Sequence, residues 1–559
     1  MSHCRAGDLP VFCFANNVTM VQFIGFCEIP SSKTAKETDN VSILRYYLRV
    51  SKPQYITTAI DYPNAAPHMG HVMEKVLADV CARWFRLRGD PVRFQIGTDE
   101  HGIKIQRTAE NEGITPKELV DRNVKLFEDL YKKLDISYDK FVRTSDKKAH
   151  WPTVQALWTK LQEAGLLEKR SYTGKYCSGC ERFMSNRDLE DGKCPNHQVE
   201  PEEVTEENWF YALSKDGKNL KNLLTKDWDG EKYRILPKFR EKETLSLIEQ
   251  GLEDVSFSRP KTSLSWGIPV PEDEDHMMYV WCDALTNYIS GLGYFTSNEE
   301  REWWDDAEVT HVIGKDISRF HALIWPSMLK NAGVRTPDVL ITHGFLTSEG
   351  DKMSKSLGNV VVPQDVIEKY GVDALRFYLS HEVPVGRDGD FSWDRFAKLY
   401  DSVLRNDLGN LLNRVLVLLK KEGGELGDFG KDTELLGSTW KTYSDAMDEF
   451  ELSVGAAEAI ALATRSNKFI DDKKPWGLES ADRVVVLIQL AEALRHVALL
   501  LLPFTPKTAQ KISKQLNVPY ADKMLEKDFV ITDEIKKWGS QTDWKKVGEP
   551  EILFLPVEE

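Results

Sequence analysis

Apolar and polar positions fall into two regimes along the chain. From about Tyr47, short β-branched runs such as Tyr55-Ile56-Thr57-Thr58-Ala59-Ile60 and Val92-Arg93-Phe94-Gln95-Ile96-Gly97 alternate with longer stretches of helical periodicity. That alternation predicts an α/β fold with a parallel sheet. It lapses between about Gln162 and Ser258, where aromatic and charged residues mix, so a compact insertion is expected there. The sheet is expected to resume near Met277. His311 to His321 reads as a strand turning into a helix, Asp365 to His381 as helical, and Val383 to Trp393 as a connector. From about Phe396 to Leu516 apolar residues recur at helical spacing with few strand signals, which predicts a helix bundle. The expected organisation is an N-terminal extension at 1–46, a parallel-sheet domain in two halves at 47–161 and 259–348, an insertion at 162–258, a loop and connector at 349–395, and a helical domain with a C-terminal segment at 396–559.

Length and composition narrow this picture. A chain of 559 residues is long for one core and implies several domains. With 41% hydrophobic and 29% charged residues and no uninterrupted apolar run of about 18 residues, it reads as soluble, with no membrane partner. The net charge of −15 argues against nonspecific binding of nucleic acid, but local clusters of Lys and Arg decide specific binding. Eight cysteines are too few for a disulfide scaffold and favour a reducing compartment. The extension mixes the apolar pieces Val11 to Phe14 and Val18 to Cys27 with the polar stretch Ser31 to Asn40, and a disordered or loosely docked segment is expected. A cytoplasmic location follows, with an organellar one as the alternative should residues 1–46 act as a targeting segment.

Candidate chemistry begins at Pro67-His68-Met69-Gly70-His71, between the first strand and a helical run ending at Gly89. A helix N-terminus offers free N–H groups to phosphate, His68 and His71 share a face and can donate to phosphoryl oxygens, and Gly70 permits close approach of a nucleotide. Lys352-Met353-Ser354-Lys355-Ser356, between Gly350 and Gly358, puts Lys352 and Lys355 on a polar loop suited to a triphosphate. Asp99, at the end of the second strand, is a candidate for an amino-acid ammonium group, or else a helix N-cap. Asp316 is placed to hold a ribose, beside Gly314, where a nucleotide can approach. Cys177, Cys180, Cys194 and His197 follow a Cys-x2-Cys, Cys-x2-His pattern suited to tetrahedral structural zinc; a metal-free knuckle is the alternative.

The stretches at His68 and Lys352, in this order and roughly 280 residues apart, resemble the paired HIGH and KMSKS signatures of the class I aminoacyl-tRNA synthetases, the first here reading HMGH. The resemblance covers most of the chain and points to the methionyl family. It implies a Rossmann-type catalytic domain split by a zinc-knuckle insertion and followed by an α-helical anticodon-binding bundle. It further implies that methionine is activated with ATP and Mg2+ to methionyl-adenylate and then transferred to the 3′ end of methionine tRNA. His68, His71, Lys352 and Lys355 would be catalytic, with Gly70, Gly314 and Asp316 joining them at ATP. Ile60, Tyr62, Trp281, Ala284, Tyr288, Ile317 and His321 would line the methionine pocket with Asp99, although Leu285 and Asn287 stand where many members have Pro and Gly. Asn410, Arg414 and Trp476 match positions that read the anticodon. One structural zinc ion and a monomer are expected. Two alternatives remain open: another class I synthetase, such as the cysteinyl enzyme, or a catalytically silent tRNA-binding protein that keeps the fold.

Overall fold

The computed structural model describes residues 51–557 apart from 180–181, 185–187, 196–197, 354–358, 428, 431–434 and 542. The extension at 1–46 lies outside the described residues. Six strands, β1 (Gln54–Thr58), β2 (Val92–Thr98), β3 (Lys140–Arg143), β4 (Arg234–Leu236), β5 (Glu308–Gly314) and β6 (Val339–His343), form the central sheet in the order β3-β2-β1-β5-β6-β4. All neighbouring pairs run parallel. Strands β1 and β6 are buried along their whole length, as the β-branched runs predict for a sheet covered on both faces. The strand order reverses between β1 and β5, and their carboxyl ends open the crevice where ligands of such sheets bind.

α1 (Met69–Arg88) follows β1 and stops at Gly89, whose φ of +94° favours glycine and lets its N–H reach the carbonyl of Arg86. α2 (Trp151–Glu163) packs on α3 (Val280–Ser290), which precedes β5. The helical domain is built on α4 (Leu411–Lys421), α5 (Leu452–Lys473), α6 (Ser480–Leu501) and α7 (Pro506–Leu516), whose apolar faces join α1 in one continuous core. Fully buried Arg376 ties the two together. Its guanidinium pairs with Asp79 of α1 at 2.7 Å and donates to the carbonyls of Leu134, Pro503 and Phe504.

Several expectations are corrected. β4 falls inside the range 162–258 yet belongs to the central sheet, because three residues carry too short an apolar signal to be recognised as a returning strand. The strand Asp273–Met278 pairs antiparallel within a separate three-stranded sheet, so the central sheet resumes at β4 and continues at β5, and not near Met277. The helical run to His381 is two helices, Pro363–Tyr370 and Val372–His381, broken at Gly371 with φ +87°. The connector after it contains the strand Gly389–Phe391, paired with Leu346–Ser348. Finally, α6 is long and apolar enough by length and composition to cross a membrane, with a mean hydropathy of 1.9. Asp482, Arg483, Glu492 and Arg495 interrupt its apolar run in the sequence, and the helix is mostly buried inside the bundle, where Glu492 and Arg495 pair at 2.6 Å.

Candidate active site

His68 occupies the last position before α1, in extended conformation. Its Nδ1 accepts the Gly70 N–H at 3.1 Å, while the His71 Nδ1 accepts the His68 N–H at 3.1 Å, and the two rings stack 3.8 Å apart. The expected free N–H groups are therefore partly capped by the motif itself. Gly70 has a second reason to be glycine: a Cβ there would stand 3.0 Å from the His68 ring. Loss of water around the rings, followed by the charge of Lys104, lowers the pKa of His68; burial, then His68, Lys75 and Lys104, place His71 well below the usual value. Both rings are neutral at pH 7, and because each Nδ1 accepts, each proton sits on Nε2. Lys104, which also lies 5.7 Å over the Tyr62 ring, was missed from sequence because nothing local distinguishes it from a surface lysine.

Beneath α1 lies a buried polar floor. The Lys75 ammonium donates to Asp61 Oδ1 at 2.8 Å, Glu74 Oε1 at 2.9 Å and the Ala59 carbonyl at 3.0 Å, and Tyr131 donates to the other Asp61 oxygen. Glu74 also meets His343 Nε2 at 3.1 Å, linking α1 to the end of β6. Burial raises the pKa of Asp61 against the opposing Lys75 charge. Gly314, at the end of β5, is followed by Asp316 in a short 3-10 turn; a Cβ at Gly314 would meet Asp316 at 2.7 Å and the His343 ring at 3.6 Å.

The candidate amino-acid pocket gathers at the same strand ends. Asp99 is buried just beyond β2, and its N–H donates to the Asp61 carbonyl at 2.8 Å. Ile60 lies against Gly97. Tyr62, Trp281 and Ile317 are half-buried against one apolar cluster that contains Tyr288, and Ala284 is buried on α3. Trp281 stacks on Phe320 with ring centroids 3.8 Å apart. Tyr288 hydroxyl and His321 Nε2 are 2.7 Å apart, and His321 Nδ1 faces the Ile317 carbonyl at 3.0 Å. Burial, only partly offset by the Ile317 carbonyl, pushes the pKa of His321 down to about 4. Asp283 of α3 joins His101 and His150, both buried; sequence spacing carried no sign of this cluster, since its members are far apart in the chain.

Lys352 lies on the short strand Asp351–Lys352, whose backbone pairs with Thr347, while Lys355 lies outside the described residues. Cys177 and Cys194 are buried together with Met184 in one small cluster, and Cys194 sits in a tight turn closed by the Gln198 N–H on its carbonyl at 2.7 Å. Cys180 and His197 lie outside the described residues, and among the described residues no group of three His, Cys, Asp or Glu side chains is arranged to hold a metal ion. Far from the crevice, Arg414 lies 5.7 Å over the ring of Trp476, which is 52% exposed, and pairs with Asp471 at 3.0 Å. Asn410, exposed one turn before Arg414, meets Asn406 at 3.1 Å.

A family model described as class I tRNA synthetases (M) matches residues 54–205 and 197–416, and one described as the anticodon-binding domain of methionyl tRNA ligase matches 421–555. The methionine–tRNA ligase of Caldanaerobacter subterraneus subsp. tengcongensis is 41% identical over 524 residues, covering 91% of this chain and 80% of that protein. That of Brucella suis is 41% identical over 484 residues, covering 84% and 92%. The structure of Mycobacterium tuberculosis methionyl-tRNA synthetase bound by methionyl-adenylate superposes with a TM-score of 0.80 at 34% identity, covering 90% of this chain and 100% of that one. Split parallel sheet, HMGH at the switch point and matching helical domain agree with these likenesses, and the chain belongs to the methionyl-tRNA synthetase family of class I.

Proposed function

We propose that the crevice between β1 and β5 condenses L-methionine with ATP to methionyl-adenylate and pyrophosphate, and that the same site then esterifies the 3′ end of methionine tRNA for protein synthesis. The observation that carries this reading is the meeting, at one switch point, of two neutral imidazoles, Asp99, Asp316 and an apolar pocket, in a chain of this family. A carboxylate with a pKa near ~3.5 is already ionised, so the attack of methionine on the α-phosphorus needs no general base. Positioning and charge stabilisation do the rest. In this reading the Nε2–H groups of His68 and His71 donate to the triphosphate, Gly70 and Gly314 allow its close approach, and Asp316 holds the ribose. Lys352 and Lys355 neutralise charge growing on the leaving pyrophosphate, where Mg2+, held by the phosphates, would supply further positive charge. Asp99 takes the α-ammonium, while Ile60, Tyr62, Trp281, Ala284, Tyr288, Ile317 and His321 surround a thioether that is long, flexible and only a weak acceptor.

The insertion fits zinc in part: two of the four candidate ligands, Cys177 and Cys194, are buried in one small cluster. With Cys180 and His197 they would form a closed site that orders the knuckle and leaves no open position for catalysis. Asn410, Arg414 and Trp476 would read the anticodon. The protein would act as a monomer, in the cytoplasm, a reducing compartment with which the sparse cysteines agree. The test is pyrophosphate exchange into ATP with each of the twenty amino acids. Exchange with methionine alone is expected; exchange driven by cysteine, or none, overturns the reading.

A further inference from the structure

The loop after β2 is held from several sides, and one of the holds is a carboxylate shared by two imidazoles. His101 Nδ1 lies 2.6 Å from Asp283 Oδ2, and His150 Nε2 lies 2.6 Å from Asp283 Oδ1. Ser290 Oγ, 2.6 Å from His150 Nδ1, completes the chain. Asp283, His101 and His150 are almost wholly buried, so neither water nor a mobile side chain can take over these bonds. Their partners lie on three separate elements. His101 is two residues beyond Asp99, and its carbonyl accepts the Tyr62 hydroxyl at 2.8 Å. His150 immediately precedes α2. Asp283 sits on α3 between Trp281 and Ala284, five residues before Tyr288.

A buried carboxylate with two imidazole partners is a costly way to obtain stability alone, since well-packed apolar residues often do as well. What the arrangement adds is direction. Each carboxylate oxygen accepts one N–H along a fixed line, and the two lines join α3 to the Asp99 loop on one side and to the start of α2 on the other. The two imidazoles, against the cost of burial, hold the Asp283 carboxyl below its usual range, so it remains an acceptor for both.

We infer that Asp283, acting through His101 and His150, is a positioning residue of the methionine site: it fixes the loop bearing Asp99 and the Tyr62 hydroxyl to the helix bearing Trp281, Ala284 and Tyr288. The inference rests on the reading of Asp99 as the ammonium-binding group. Asp283→Asn keeps the shape but turns an amide N–H toward one of the two imidazole N–H groups, so the link fails on one side while the packing stays.

The experiment measures methionine affinity by titration calorimetry and the ATP KM by pyrophosphate exchange for Asp283→Asn, Asp99→Asn and the double variant. Asp283→Asn should weaken methionine binding about ten-fold with the ATP KM changed less than about two-fold, and its effect should largely vanish in the Asp99→Asn background. Equal losses for methionine and ATP, or a full additional loss in the double variant, overturn the inference. Weakened binding in Asp99→Asn with normal binding in Asp283→Asn overturns it while the reading of Asp99 stands. Unchanged methionine binding in Asp99→Asn overturns both. Where Asp283→Asn yields little folded protein, Ser290→Ala disturbs the cluster from its far end, and a smaller loss confined to methionine is expected. No loss in Ser290→Ala then counts against the cluster.

Discussion

His321 shows how one buried side chain can be constrained twice. Its Nδ1–H points to the Ile317 carbonyl, so Nε2 accepts from Tyr288, whose hydroxyl proton is thereby committed to the pocket wall. A neutral, weakly polar surface is what a thioether requires. The same burial makes the residue acid-sensitive. Its folded pKa of about 4 lies below the ordinary 6.5, so on acidification the unfolded chain binds this proton first, and the stability held above pH 6.5 is lost as the pH falls through that window toward 4. Buried His311, also held well below its usual value, acts in the same direction. His321→Gln should remove the His321 share: the unfolding free energy of the parent relative to the variant should fall by at most about 3 kcal/mol between pH 6.5 and 4. Chemical denaturation at several pH values measures it, and parallel profiles would contradict it. The family resemblance places His321 at the pocket, but neither its two bonds nor its lowered pKa is legible in the sequence, where a histidine four residues after Ile317 looks like any other helix-borne histidine.

At the scale of single elements, the first turn of α1 and the knuckle in the insertion each make a prediction. Gly70→Ala improves helix propensity by up to about 1 kcal/mol, but its Cβ at 3.0 Å pushes the His68 ring off the Gly70 N–H and removes a cap worth about 0.5–2 kcal/mol. These nearly offset, so the melting temperature should barely move. The activation rate should fall about ten-fold or more, because His68 Nε2 no longer lies where the tautomer-fixing cap placed it. Normal exchange kinetics would show that the stacked imidazole pair is structural. For the knuckle, elemental analysis of freshly purified, unchelated protein should give one zinc per chain, and chelation should open the insertion to proteolysis without abolishing the central fold. A metal-free protein with a protease-resistant insertion would remove zinc from the account. Element type was readable where periodicity was long, as in α1 and α5. It failed at β4, which is three residues long, and at Asp273–Met278, whose apolar end reads as a central strand although its partners are antiparallel. Strand pairing is decided by tertiary contacts that no local window contains.

Across the whole molecule, the order of the motifs was legible and their meeting was not. The split sheet, the insertion and the helical domain follow from alternating periodicities, yet the buried contacts of Arg376 with α1 on one side and the Pro503 and Phe504 carbonyls on the other join segments over a hundred residues apart. That junction sets the helical domain at a fixed place relative to the crevice, so a contact in the bundle can be tested separately from chemistry in the sheet. Trp476 is the best point for the test. It lies at the end of α5, half exposed, with the Arg414 guanidinium 5.7 Å over its ring and Asn410 one helical turn away, an arrangement able to stack one unpaired base and bond the edge of another. Because the ring is exposed, Trp476→Ala removes little burial and should leave the melting temperature close to that of the parent. Loss of a base–aromatic stack worth roughly 1–3 kcal/mol should cut kcat/KM for methionine tRNA at least several-fold. Methionine-dependent pyrophosphate exchange should stay near normal, since no tRNA takes part in it. Full tRNA charging in the variant, or equal loss of both reactions, would show that Trp476 serves the bundle and not the anticodon.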